Sequence, residues 1–172
     1  MSFVQRLFGR PPERQSLLPL YEAVVKIGRD PAWYLGGGVP DTLEGRFDMV
    51  TAVLALVLLR LETEGDAARR ESALLTELFI DDMDSSLREL GTGDMVVGKK
   101  VGKLMGALGG RLGSFRDAAG DPAAFEAAVR RNVFREAPGS EEDVGVVAGR
   151  LGALRGRLEA TPLPSLLAGE MK

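Results

Sequence analysis

Residues 79–105 read FIDDMDSSLRELGTGDMVVGKKVGKLM, and this stretch guides the interpretation of the whole chain. Apolar side chains at spacings of three and four, before and after a short glycine segment, predict a helix, a turn and a second helix. Gly91 and Gly93 are typical of a helix end, because glycine adopts left-handed backbone angles at low cost. Asp94 is placed to accept hydrogen bonds from the free N–H groups of the second helix. Two helices joined this closely are expected to pack side by side.

Charge concentrates at this predicted joint. The first helix carries an acidic cluster and the second a basic one, and the members are Asp81, Asp82, Asp84, Lys99, Lys100 and Lys103. A solvated face with ion pairs along each helix is the simpler interpretation, and a partner-binding patch is the functional one. We therefore expect the functional site at this joint.

The composition excludes several classes of function. The chain has 172 residues, of which 45% are hydrophobic and 27% charged, as expected for one globular domain. It contains neither cysteine nor histidine, so it lacks thiolate nucleophiles and the commonest general base and metal ligands near neutral pH. With a net charge of −3 it has no general attraction to nucleic acid. We expect no enzymatic activity, no bound metal and no cofactor, and interpret the protein as soluble and cytoplasmic.

Helical periodicity predicts an all-α fold, with a single compact domain of about six helices around a central apolar helix. Asp41 is expected to cap the central helix, with Glu44 reaching back to it, and the helix to end near Leu61. Because this helix is apolar nearly all round, it is expected to lie in the centre of the fold. Asp121 and Ser140 are further predicted caps. The expected segments are an N-terminal arm at 1–14, a helical domain at 15–160 and a flexible C-terminal tail at 161–172.

Two helices are rich in glycine, one after residue 97 and one after residue 144. Because glycine lets backbones approach closely, the pattern favours close packing of these two helices. An adaptable binding groove is the alternative interpretation.

Two segments resemble ligand-binding motifs, but each lacks a residue that the motif requires. The segment 93–100 resembles a phosphate-binding loop, but Lys100 stands where serine or threonine should hold magnesium, and a helix rather than a strand precedes it. The acidic cluster lacks calcium-loop spacing, since Leu87 occupies the position that requires glycine.

Three stretches together resemble the ubiquinol–cytochrome c chaperone family. They are DPAWY at 30–34 with GVPDTLEGRFD at 38–48, DMDSSLRELGTGD at 82–94 with the following Val97-Gly98-Lys99, and RRNVF at 130–134. The resemblance covers roughly residues 20 to 135 and implies a helical, non-catalytic assembly factor for the cytochrome bc1 complex. It implies newly made cytochrome b as the client, with a small partner protein and the ribosome as further partners, at the cytoplasmic face of the inner membrane.

The expected binding site combines the charged joint with the aromatic pair of the segment before the central helix. The predicted partner-binding residues are Asp82, Asp84, Arg88, Asp94, Lys99, Lys100, Trp33 and Tyr34. Trp33 and Tyr34 are equally typical of core anchors. The alternative function is a peripheral membrane scaffold or adaptor that uses the arm, where Phe3, Val4, Leu7 and Phe8 form one apolar face beside Arg6 and Arg10.

The joint gives a first prediction. Reversing the charges of Asp84 and Lys99 together should reduce recovery of cytochrome b in a pull-down while leaving helicity and melting temperature nearly unchanged. The reason is that exposed ion pairs contribute little to folding but influence partner choice. Unfolding of the double variant would instead assign these charges to the fold.

Overall fold

The computed structural model describes residues 12–89, 97–135 and 137–171. Its helices, numbered in chain order, are α1 (Pro12–Gln15), α2 (Leu18–Gly28), α3 (Pro31–Leu35), α4 (Leu43–Glu62), α5 (Arg69–Glu89), α6 (Val97–Asp117), α7 (Pro122–Val133), α8 (Glu141–Ala160) and α9 (Leu163–Leu167), with a 3-10 helix at Gly65–Ala68. No β-strand occurs within the described ranges. The all-α prediction is therefore confirmed, and six of these helices have between 11 and 21 residues.

Helix α4 is the central element, as its apolar sequence predicts. Val53, Leu54 and Val57 are fully buried, and the helix contacts α2, α5, α6, α7 and α8. A helix surrounded by others on nearly every side has no solvent face, so apolar residues are favoured around most of its circumference. The other helices turn one apolar stripe toward it.

A buried charge lies within this core at Asp48 of α4. Asp48 is 1% exposed and accepts a hydrogen bond from the guanidinium of Arg111 in α6, which is 2% exposed. Arg135, just after α7, donates to the same carboxylate at 2.7 and 3.0 Å. Burial raises the pKa of Asp48 and lowers that of Arg111, and the opposite charges partly offset both shifts. One carboxylate thus joins α4, α6 and the segment after α7.

The predicted caps agree with the structure at two of the described helix starts. Asp121 accepts hydrogen bonds from the backbone of Ala123 and Ala124, and Ser140 forms a capping box with Asp143. At α4 the prediction is wrong.

The cap of α4 is Thr42, whose hydroxyl accepts from the Gly45 N–H at 3.0 Å. Asp41 instead accepts a hydrogen bond from Arg46 at 2.6 Å. The predicted cap Asp94 lies outside the described residues, as does the turn before α6.

The glycines of α6 and α8 do not bring these two helices together, so the favoured packing interpretation is wrong. A Cβ atom built on any of nine of them would meet nothing within 4 Å outside its own helix, and these are Gly102, Gly106, Gly109, Gly110, Gly113, Gly145, Gly149, Gly152 and Gly156. The physical reason is that α6 packs through its opposite face, with Leu104, Leu108 and Phe115. The glycines of α8 line an open depression of about 570 Å³ beside α7, which agrees with the alternative interpretation of a groove.

The two ends of the described fold contain short helices. α1 covers the end of the expected arm, and α9 lies within the expected flexible tail. Leu166 of α9 is fully buried, and α9 packs on α2. The three-part division of the chain stays a prediction.

The Asp48 network gives a stability prediction. Asp48→Ala should lower the free energy of unfolding by about 3–5 kcal/mol, because it leaves Arg111 buried without its counter-charge. Urea denaturation followed by circular dichroism measures the change. Asp41→Ala is the matched control, since it also removes an aspartate paired with arginine but at an exposed position. A similar small change in both variants would contradict the role assigned to Asp48.

Candidate functional site

The described residues contain an open groove between α5 and α6, with a volume of about 590 Å³. Leu58 and Glu62, near the end of α4, also line the groove, so three long helices contribute to it. The apolar lining residues are Leu58, Ala73, Ile80, Val101, Met105 and Leu112. Met105 is 46% exposed, although it is a large hydrophobic residue. Of the stretch 79–105, the residues Ile80, Asp81, Val101 and Met105 belong to this lining, and nothing in the described structure covers the apolar surface.

Charged side chains border this groove. Glu77 and Asp81, one turn apart on α5, both accept hydrogen bonds from Arg14, and the distance to Asp81 is 2.8 Å. Glu62 of α4 also lines the groove and pairs with Arg116 at 2.8 Å. The groove lining itself thus carries more acidic than basic side chains.

The structure places the predicted rim residues in different environments. Asp82 is half-buried and accepts a hydrogen bond from the Tyr21 hydroxyl at 2.7 Å, so it helps to hold α2 against α5. Asp84 is half-buried and Lys99 is exposed. Arg88 lies in α5 and Lys100 in α6, where the description covers only their backbone, and Asp94 lies outside the described residues. Partner binding by these residues stays a prediction.

Trp33 and Tyr34 lie elsewhere, and both use their polar atoms within the fold. The Trp33 indole donates to the carbonyl of Ile27 and the Tyr34 hydroxyl to that of Gly28, each at 2.6 Å. These carbonyls belong to the last turn of α2, where no intrahelical N–H is available. Burial raises the pKa of Tyr34 to about 12. The pair therefore closes the end of α2, and its role in partner binding stays a prediction.

Sequence reasoning missed part of the groove border. Arg14 and Glu62 are far from α5 along the chain, and nothing in their local pattern indicates that they meet it. Arg111 did carry a signal, because it falls in line with Leu104, Leu108 and Phe115 on the buried stripe of α6. A charged residue on such a stripe indicates a buried counter-charge.

The described residues provide neither a metal site nor a membrane-spanning helix. No group of three or more acidic side chains there is arranged to hold a metal ion. In the same part of the chain, every helix is too short or too polar to cross a bilayer. The described structure does contain the apolar, charge-bordered groove between α5 and α6, which is the kind of surface that a helical binding protein presents.

Comparison with known proteins identifies the family. A family model described as ubiquinol–cytochrome C chaperone matches residues 36–172, so the chain belongs to the ubiquinol–cytochrome c chaperone family. Its class is that of chaperones for cytochrome bc1 assembly, and the resemblance noted from sequence is confirmed.

A solved structure is also similar over nearly the whole chain. The crystal structure of the Cbp3 homolog from Brucella abortus shares 30% sequence identity with a TM-score of 0.79, covering 98% of this chain and 94% of that one. None of the curated proteins compared with the chain matches it.

Tyr34 gives a prediction with a defined pH window. Its folded pKa of about 12 exceeds the ordinary value of 10.0, so its contribution to stability is complete below pH 10 and is lost as pH rises toward 12. The urea midpoint of the wild type should therefore fall more between about pH 9 and about pH 11 than that of Tyr34→Phe. Equal falls in both proteins would show that Tyr34 titrates as an exposed phenol.

Proposed function

We propose that the protein is a non-catalytic chaperone that binds newly made cytochrome b in the α5–α6 groove and thereby promotes cytochrome bc1 assembly. The observation that carries this proposal is an open apolar groove, bordered by charge, in a member of the ubiquinol–cytochrome c chaperone family. The chaperone would meet its client at the cytoplasmic face of the inner membrane, with or without a small partner protein and the ribosome.

The chemistry of the client supports the groove as its binding site. Cytochrome b is a membrane protein, so a segment held outside the bilayer must have its apolar surface covered. An exposed apolar patch bordered by polar groups is typical of such interaction sites. Met105 stands at the surface of the groove, and a flexible thioether adapts to apolar partners of different shape.

The charges around the groove would contribute orientation more than affinity. Glu77 and Asp81 border one side, and Lys99 is exposed on the opposite helix. Complementary charge at the edge of an interface accelerates encounter and excludes wrong partners. In this proposal the apolar lining binds the client, and the charged border determines the orientation in which the client binds.

Met105 provides the direct test. Met105→Asp places a carboxylate in the apolar groove, and tagged full-length protein should recover at least about tenfold less cytochrome b, the change produced by a loss of about 1.4 kcal/mol. Helicity and melting temperature should change little, because Met105 is already 46% exposed. Quantitative immunoblotting of cytochrome b after solubilisation in mild detergent measures the recovery.

Leu35→Asp is the matched control. Leu35 is 88% exposed at the end of α3, beside Trp33 and Tyr34, so the same charge is introduced outside the groove. We expect wild-type recovery for this variant. Reduced recovery in Leu35→Asp, with normal recovery in Met105→Asp, would contradict the groove and assign the client to the aromatic segment.

A further inference from the structure

The N-terminal residues 1–11, MSFVQRLFGRP, join the described fold directly beside the α5–α6 groove. α1 begins at Pro12 and packs on α5. Arg14 of α1 is itself one of the residues that line the groove, and it pairs with Glu77 and Asp81. The arm therefore starts within a few residues of the open apolar surface.

The arm carries an apolar face of suitable size for this groove. Phe3, Val4, Leu7 and Phe8 recur at helical spacing and span about 7.5 Å along a helix axis. The groove residues of α5 run from Ser72 to Asp81, which corresponds to about 13.5 Å. Two helical turns are unstable alone in water, so such a face is expected to need a partner surface. The α5–α6 groove is an apolar surface next to its attachment point, and none of the described helices covers it.

Charge is complementary along the same line. Arg6 and Arg10 are four residues apart, which places them together on one flank of the arm's apolar face. Glu77 and Asp81 are also four residues apart and border the groove. Arg14, which follows Pro11 and Pro12, already pairs with both acids, so the basic residues of the arm lie close in sequence to an arginine that meets the acidic border.

The attachment point, the apolar face and the charge of the arm all favour the same occupant of the groove. We propose that the segment Phe3–Phe8 of this same chain occupies the α5–α6 groove when no client is bound. The occupied groove is shielded from unrelated apolar surfaces, and a client must displace the arm to bind. This second step rests on the proposed function, whereas occupancy by the arm does not.

The absence of cysteine from the chain allows a direct measurement on the full-length protein. A thiol introduced by Met105→Cys should react slowly with a maleimide, because the arm covers it. Adding Leu7→Asp and Phe8→Asp should increase the reaction rate several-fold by releasing the arm. The same arm substitutions should leave the rate of Leu35→Cys unchanged, since Leu35 lies outside the groove and is 88% exposed.

A second measurement tests contact rather than exposure. Mild oxidation of the double variant Leu7→Cys with Met105→Cys should give an intramolecular disulfide in most molecules at low protein concentration. Leu7→Cys paired with Leu35→Cys is the control and should form far less. Circular dichroism of each variant establishes that the helical fold is retained.

The proposal requires both results. Equal labelling of Met105→Cys with and without the arm substitutions overturns it, and so does a disulfide yield no greater than that of the control pair. If the arm substitutions change only binding to anionic lipid vesicles, the arm contacts membranes instead and the proposal fails. Both measurements are made without cytochrome b, so they are decided independently of whether the groove binds that client.

Discussion

The buried carboxylate of Asp48 constrains the arrangement of the helices more than any other single group. A charge removed from water must be paired, and Asp48 meets this requirement through Arg111 of α6 and Arg135 after α7. α6 must therefore turn Arg111 toward α4. The same rotation places Leu104, Leu108 and Phe115 in the core and leaves the glycine face of α6 outside.

The groove is a consequence of this orientation. With Arg111 fixed toward α4, Val101, Met105 and Leu112 border the space between α5 and α6. That space is apolar and open because no further described helix packs over it. An exposed apolar surface is unfavourable in water, and a contiguous one on a folded protein is typical of an interaction site. A stable ion pair in the core thus supports the surface to which we assign client binding.

The sequence drew attention to the α5–α6 joint, but it did not indicate the groove or most of its lining. The stretch 79–105 supplies only Ile80 and Asp81 from α5 and Val101 and Met105 from α6, and partner binding there stays a prediction. The polar atoms of Asp82, Trp33 and Tyr34 instead form hydrogen bonds with other residues of the same fold. Asp82 and Tyr21 are 61 residues apart, and helical spacing gives no information about a partner at that separation. The role of Arg14 at the groove border was hidden for the same reason.

The sequence by itself determined what depends on neighbours within a few residues. Helical spacing, the caps at Asp121 and Ser140, the mainly apolar character of α4 and the motifs of the chaperone family are all of this kind. Only the tertiary structure decided that Asp48 and Arg111, 63 residues apart, would pair, and that the glycines would face outward. Local hydrogen bonding and periodicity are encoded over short segments, whereas the rotation of one helix against another depends on the packing and charge pairing of the whole core.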